Sequence, residues 1–415
     1  MASNVRPPLL ALDAALAQLL ATVPATAQRQ ELRATLEADG RVLAQDVVSH
    51  LEVPPQDNSS MDGYALRCAD VQSGRTLPVS QRIAAGMAGA PLQEGTAARI
   101  FTGAPIPPGA DAVVMQEDCV LTPASGDGGE AIAVQTAPTP GQWIRRRGED
   151  VMRNATVLAR GQRLGPAALG LAASVGLAQL QVACPPRVAL FSTGDELVMP
   201  GTVAPADMPA GAIYNSNRFF LAALLRRMGC VVTDLGIVPD RLEATLAALQ
   251  AAAQSHDLVL TSGGVSVGEE DHIKPAVQQL GQLDLWQIAI KPGKPFAHGR
   301  IGTAHFIGLP GNPVSSFITF LVLVRPFLLR MQGAVDVAMP GQNLRADFAW
   351  PRADKRREFL RVRRNAAGGL DLFPNQSSGV LTSAVWGEGF VDNPPGQTIA
   401  PGDTVRFVSF GDLLA

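Results

Sequence analysis

The chain has 415 residues, 47% of them hydrophobic and 17% charged, with a formal net charge of −3. That length calls for roughly two to four domains with sizeable cores. The charge balance argues against a nucleic-acid or membrane-surface binder, so small molecules or a second copy of the chain are the expected partners. Cys68, Cys119, Cys184 and Cys230 are widely spaced with no C-x-x-C, which indicates neither a zinc site nor a disulfide framework and suits a reducing cytoplasm.

The N-terminal run PPLLALDAALAQLLATVPATA ends in an A-x-A-like sequence, as a signal peptide does. Asp13 and Gln18 interrupt it, and Leu9, Leu12, Leu16, Leu19 and Leu20 recur at helical spacing, so it reads as an amphipathic helix. Residues 1 to about 50 are expected to be helical, ending in the extended VVSHLEVPPQDNSS. From there to about residue 143 come short β-like runs broken by Gly and Pro, a separate β-rich module. Within it, DNSSMDGYAL and RIFTGAPIPPGADAVVMQED carry more polar and special residues than folding needs, although Asp62-Gly63 also fits a plain turn. IRRRGED sets Arg145, Arg146 and Arg147 beside Glu149 and Asp150, which a surface salt-bridge cluster would explain. NATVLARGQRLGPAALGLAASVGLAQLQV returns to strand and helix, as a first domain completed around an insertion would.

From Pro185 to about Met331 strand and helix patterns alternate, which predicts a doubly wound α/β domain with a mainly parallel sheet. Ligands of that architecture sit at the carboxyl ends of the strands, where the polar clusters fall: Ser192 to Glu196, Asp240, Ser262 to Asp271, Lys291 to Pro295 and Pro310 to Ser315. In FSTGDEL the small residues leave room for a ligand that Asp195 or Glu196 could hydrogen-bond; a cap or turn uses the same residues. In IYNSNRFFL, Asn215 or Ser216 reads as a helix cap. DLVLTSGGVSVGEEDHIKPAV runs an apolar strand into a Gly-Gly turn, whose backbone N–H groups attract phosphate. Three acidic residues follow, and a divalent cation between carboxylate and phosphate would reconcile the two. Glu269 and Glu270 read as helix-dipole partners, while Asp271 fits either that role or the metal-facing one.

AIKPGKPFAHG holds Lys291 and Lys294, two of only four lysines in a chain that otherwise uses arginine. A compact ammonium meets a small anion as a point charge, although a solvated basic loop would look similar. GLPGNPVSS opens a helix with Ser315 and Ser316 near its start, a setting for a tetrahedral oxyanion. The apolar run FITFLVLV stops at Arg325-Pro326, too short to span a bilayer. His50, His256, His272, His298 and His305 form no ligand-spaced pair and G-x-S-x-G is absent, which argues against a hydrolase triad. From about residue 335, runs such as EFLRVRRN and DTVRFVSF predict a small β-barrel or sandwich.

Together, DNSSMDGYA, TGAPIPPGADAVVMQE, RRRGED, FSTGDEL, SGGVSVGEED, IKPGKPF and GLPGNPVS closely resemble the molybdopterin molybdenumtransferase family, which includes bacterial MoeA proteins, their plant counterparts and the E domain of gephyrin. The match covers essentially the whole chain in the expected order. The resemblance implies a four-domain elongated homodimer: residues 1–50 with 144–184, an inserted β-rich domain 51–143, a molybdopterin-binding α/β domain 185–334 and a C-terminal β-barrel 335–415. The implied reaction takes adenylylated molybdopterin and molybdate, inserts molybdenum at the dithiolene and releases AMP in a Mg²⁺-dependent step. Ser262, Gly263, Gly264 and Ser266 would then hold phosphate and Asp271 would help to position Mg²⁺. Lys291, Lys294, Pro295 and Ser315 resemble the family's molybdate pocket, with Arg361 and Ser378 contributed by the β-domain; Ser377 stands where the family often has Gly, so either serine could face the oxyanion. By the same matching, Asp62, Thr102, Asp150, Glu196 and Asp240 are the other functional positions, with Asp62 and Thr102 of one chain facing the α/β domain of its partner. Molybdopterin adenylyltransferase and molybdoenzyme maturation proteins are the further candidate partners. Two alternative functions are a molybdopterin adenylyltransferase, which would not need residues 51–143, and a non-catalytic scaffold like gephyrin's E domain.

Overall fold

A computed structural model of the protein describes residues 9–26, 29–124, 129–264 and 272–414. The chain forms two compact units, one of Met1–Gln45, Arg160–Gly165 and Gln179–Ala415, the other of Asp46–Ala159 and Pro166–Ala178.

The second unit is built on a six-stranded sheet in the order Ala112–Met115, Gly63–Leu66, Ala97–Ile100, Leu77–Ile83, Glu130–Val134, Cys119–Pro123. Successive side chains of a strand point to opposite faces, so Tyr64 and Leu66 join one small core and Ala65 another. Gly63 is required there, because a Cβ would lie 1.9 Å from the Val114 carbonyl oxygen. The strand therefore pairs tightly just where Asp62 leaves it.

The first unit contains the doubly wound region. Its elements are β1 (Arg187–Thr193), α1 (Asn217–Arg227), β2 (Val231–Val238), α2 (Leu242–Ser255), β3 (Leu258–Ser262), α3 (Ile273–Leu280), β4 (Gly281–Gln287), β5 (Pro295–Ile301), β6 (Ala304–Leu309) and the long helix α4 (Pro313–Met331). The sheet order is β2–β1–β3–β6–β5–β4. The first four strands are parallel and the last two join antiparallel. The chain moves outward from β1 to β2 and returns on the other side with β3. The carboxyl ends of β1 and β3 thus flank the crevice where such sheets bind ligands.

Helix α4 supplies much of the core, with Val314, Ile318, Phe320 to Val324, Phe327 and Leu328 fully buried. It extends past Arg325-Pro326, where the sequence pattern stops it. A proline inside a helix lacks a donor and crowds the carbonyl four residues back. Here the turn before it, Phe320–Val324, widens to a π-helix, which gives that ring room. The helix is long and apolar enough to cross a membrane by composition, but 83% of that window is buried within the fold. The buried Arg325 side chain donates to the Leu413 carbonyl at 2.7 Å.

A further six-stranded sheet in this unit joins Ile290–Lys291 to strands Arg357–Arg364, Gly389–Asn393, Thr404–Ser409 and Gln342–Arg345, with Leu370–Leu372 on Arg357–Arg364. The helical expectation for the first fifty residues needs correction. Helix occupies Leu12–Ala21, whereas Gln30–Ala34 is a strand paired antiparallel with Gln179–Ala183. That partner is far away in sequence, and a five-residue strand with mostly exposed positions leaves no period to read.

Candidate functional site

At the carboxyl end of β1, Thr193 donates from Oγ1 to Asp240 Oδ1 at 3.1 Å, which joins this strand to the loop after β2. At the end of β3 the chain turns through Gly263 and Gly264, with φ of +93° and +67°. At Gly264 a Cβ would lie 2.5 Å from Ile273 Cγ1, so the turn has no space for a side chain as well as an unfavourable φ for one. Ser262, at the strand's last position, is only 3% exposed. Asn217 at the start of α1 donates from Nδ2 both to Ser262 Oγ and to the Gly311 carbonyl, each at 2.7 Å. Asn215 Oδ1 accepts from the Arg218 N–H at 3.3 Å, so Asn215 supplies the cap, and Ser216 makes no side-chain cap bond.

These elements surround a cavity of about 780 Å³. Of the residues singled out in the sequence, Thr193, Gly194, Glu196, Asp240, Ser262, Gly263, Gly264, Pro295 and Ser315 line it. Ser266 and Asp271, like Glu269 and Glu270, lie outside the described residues. Ser315 is 5% exposed near the start of α4, and the neighbouring Val314 N–H donates to the Ser378 carbonyl at 2.9 Å. Gly379 of the same loop also lines the cavity. The Ser377 carbonyl instead accepts from Arg361 Nη2 at 3.5 Å.

The two lysines of KPGKP differ. Lys291 Nζ lies 3.0 Å from the buried Glu358 carboxylate and 3.4 Å from Asp354, so two acids already meet its charge. Lys294 is half-buried and has no carboxylate partner among the described residues. Arg361 is 1% exposed and is held by Ser383 Oγ at 3.1 Å and the Phe359 carbonyl at 2.8 Å. Burial without a facing acid lowers its guanidinium to about 10. It is a buried cation whose described partners are neutral.

In the other unit, Asp62 Oδ1 accepts from both the backbone N–H and the hydroxyl of Thr102, each at 2.7 Å. Those two bonds, the backbone one first, hold the exposed Asp62 carboxyl below its ordinary range. Asp150 is exposed, and its N–H donates to the Val53 carbonyl at 2.9 Å. The adjoining arginines are salt-bridged, Arg146 to Asp57 at 2.7 Å and Arg147 to Glu52.

Sequence reasoning missed three arrangements. Asn217 was legible only as part of a capping segment. Of the acids that meet Lys291, Glu358 comes from a strand paired in parallel with Ile290–Lys291, and Asp354 from the segment just before that strand. His298 and His305, unpaired by spacing, meet across the β5–β6 hairpin with Nε2 and Nδ1 3.3 Å apart. Among the described residues no cluster of three or more His, Cys, Asp or Glu side chains could hold a metal ion.

Fold and site define a multidomain α/β and β protein with a polar small-molecule cavity at the switch point of its parallel sheet. Three family models match: the MoeA N-terminal region (domain I and II) at residues 10–176, a probable molybdopterin binding domain at 189–330 and the MoeA C-terminal region (domain IV) at 343–410. A molybdopterin molybdenumtransferase of Haemophilus influenzae is 39% identical over 98% of this chain and 100% of its own length. One from Synechococcus elongatus is 37% identical over 94% of this chain and 96% of its own. The crystal structure of a molybdopterin biosynthesis moeA protein from Pyrococcus horikoshii superposes with a TM-score of 0.83 at 26% identity, covering 97% of this chain and 100% of that one. The chain belongs to the molybdopterin molybdenumtransferase family and is a transferase of molybdenum cofactor biosynthesis.

Proposed function

We propose that this transferase takes adenylylated molybdopterin and molybdate, inserts molybdenum at the dithiolene and releases AMP. The observation that carries this reading is the 780 Å³ cavity at the strand ends, walled by glycine turns and hydroxyls. Gly263 and Gly264 let phosphate oxygens approach the backbone of the turn, where the Gly263 N–H itself is taken by the Leu309 carbonyl at 3.0 Å, with the Ser262 hydroxyl alongside. Lys294 supplies the open positive charge for molybdate, a small dianion, with Ser315, Pro295 and the Ser378 segment shaping its surroundings and Arg361 adding a buried cation. Lys291 acts through the strand that carries Glu358, since its own charge is matched there.

Asp240, Thr193, Ser262 and Glu196 offer only oxygen donors around the cavity, the ligand chemistry Mg²⁺ takes. In this reading Asp271 and Asp240 would hold Mg²⁺, which would supply charge neutralisation at the phosphates. The four-domain division, a cytoplasmic homodimer, and a composite site to which Asp62, Thr102 and Asp150 come from the partner chain belong to the same proposal.

The test is AMP release from adenylylated molybdopterin with and without molybdate and Mg²⁺. Release that needs both supports the reading. Release without molybdate contradicts it, and no release leaves a scaffold. In the same assay Asp271→Asn, nearly isosteric but without the metal-facing charge, is expected to abolish the Mg²⁺-dependent turnover. Unchanged turnover at limiting Mg²⁺ returns Asp271 to a helix-dipole role. A fully active monomer by light scattering would contradict the composite site.

A further inference from the structure

We infer that Asn217 is a positioning residue that presets the Ser262 hydroxyl as a hydrogen-bond donor into the cavity. The inference rests on reading that cavity as the site of the phosphorylated substrate. Its geometry begins with the Gly311 carbonyl, which can only accept; the Asn217 atom 2.7 Å from it is therefore the amide nitrogen, which fixes which way the side chain points. That same nitrogen is 2.7 Å from Ser262 Oγ. An amide NH₂ has two hydrogens and nothing to accept with, so Ser262 Oγ is the acceptor in this bond.

A free serine hydroxyl can turn to give or to receive. This one is held as a receiver on one side, which leaves its own proton for another acceptor, and no acceptor for it occurs among the described residues. Ser262 lies on the cavity wall, and both partners are nearly buried, Asn217 at 8% and Ser262 at 3% exposed, so water competes little for this bond. The resulting site offers a proton and favours an anionic oxygen such as phosphate over a donor group. The same amide also ties the last residue of β3 to the loop after β6.

Asn217→Asp is close in shape and reverses the logic: a carboxylate cannot donate to Gly311 and would take the Ser262 proton for itself. The experiment is a double-mutant cycle on the full chain, with equilibrium binding of adenylylated molybdopterin as the readout and a melting curve for each variant. Ser262→Ala is expected to weaken binding about tenfold, the scale of one lost hydrogen bond. Asn217→Asp should weaken it at least as much, and the double variant no further than Asn217→Asp alone. Should Asn217→Asp not fold, Asn217→Ala, which removes the donors without adding charge, carries the same expectation. Losses that multiply in the double variant, or wild-type affinity in the Asn217 variants, overturn the positioning role while leaving the cavity as the substrate site. Wild-type affinity in Ser262→Ala overturns the reading of the cavity, and the proposal with it.

Discussion

At the amino-terminal edge of the parallel sheet, Asp257 accepts from Arg29 at 2.6 Å and from Arg187 at 3.0 Å, and Arg300 donates to the Thr22 carbonyl at 2.8 Å beside the His298–His305 pair. At the carboxyl-terminal edge, glycines turn the chain, hydroxyls face a cavity, and Lys294 stands without a carboxylate among the described residues. Both edges are polar. One satisfies its charges internally, and the other keeps donors for something that is not protein. Burial alone does not mark a site, since His298 Nδ1 is buried without a partner; what marks it here is a charge with no protein partner.

Removing the open charge is expected to have the largest effect. Lys294→Ala is expected to cut molybdate-dependent turnover about a hundredfold, on the scale of ~2–3 kcal/mol for a charged hydrogen bond. Lys294→Arg should also impair it, by about tenfold, because a wide planar guanidinium does not replace a point charge. Both variants should keep affinity for the nucleotide substrate, whose phosphate loop lies at a different strand end. A wild-type molybdate response in both variants would return KPGKP to solvent.

At the amino-terminal edge the histidine pair makes stability depend on pH. Burial lowers His298 to about 4 and His305 to about 3, with the charge of Arg300 adding to the effect. Their folded values lie below the unfolded one, so the unfolded chain binds more protons at mildly acidic pH. The neutral pair's stability is therefore complete above pH ~6.5 and is lost as pH falls toward the folded values. The loss from pH 7 to pH 5 is expected to be on the order of 2 kcal/mol per histidine. Denaturant unfolding across that range measures it, and His305→Gln should flatten the slope.

A smaller effect is expected at Asp257. Burial works to raise its carboxyl, but hydrogen bonds from the Arg187 side chain and backbone, and the charges of Arg29 and Arg187, outweigh this and hold it below its ordinary range. Its stabilisation is present above the unfolded carboxyl range and lost as pH falls through the lower folded value. Both arginines are nearly half exposed, so Asp257→Asn should cost only about 1 kcal/mol in a melting experiment at neutral pH. Substrate binding should not change. A large loss of binding would erase the contrast between the two edges.

The sequence made the α/β alternation and the strand-end clusters legible because buried parallel strands are continuous apolar runs and the loops after them concentrate Gly, Ser and Asp. Asp62 and Thr102 were both readable as candidates, but not their mutual hydrogen bonds, which depend on strands Gly63–Leu66 and Ala97–Ile100 lying side by side. Lys291 looked open because Glu358 reaches it through a strand pairing across 67 residues. Asn217 did not stand out beside the capping candidates Asn215 and Ser216 because its partners, Ser262 and Gly311, are 45 and 94 residues away. Local pattern reports what a residue can do. Long-range pairing decides whether it is already occupied.

Hydrogen–deuterium exchange of the full chain, with and without saturating adenylylated molybdopterin, compares the two edges in one measurement. Slower exchange is expected in peptides that cover residues 192–197, 213–217, 262–264 and 310–316, and no change at 184–188, 253–257 and 300–305. Protection confined to the amino-terminal edge, or none at the carboxyl-terminal edge, would contradict this.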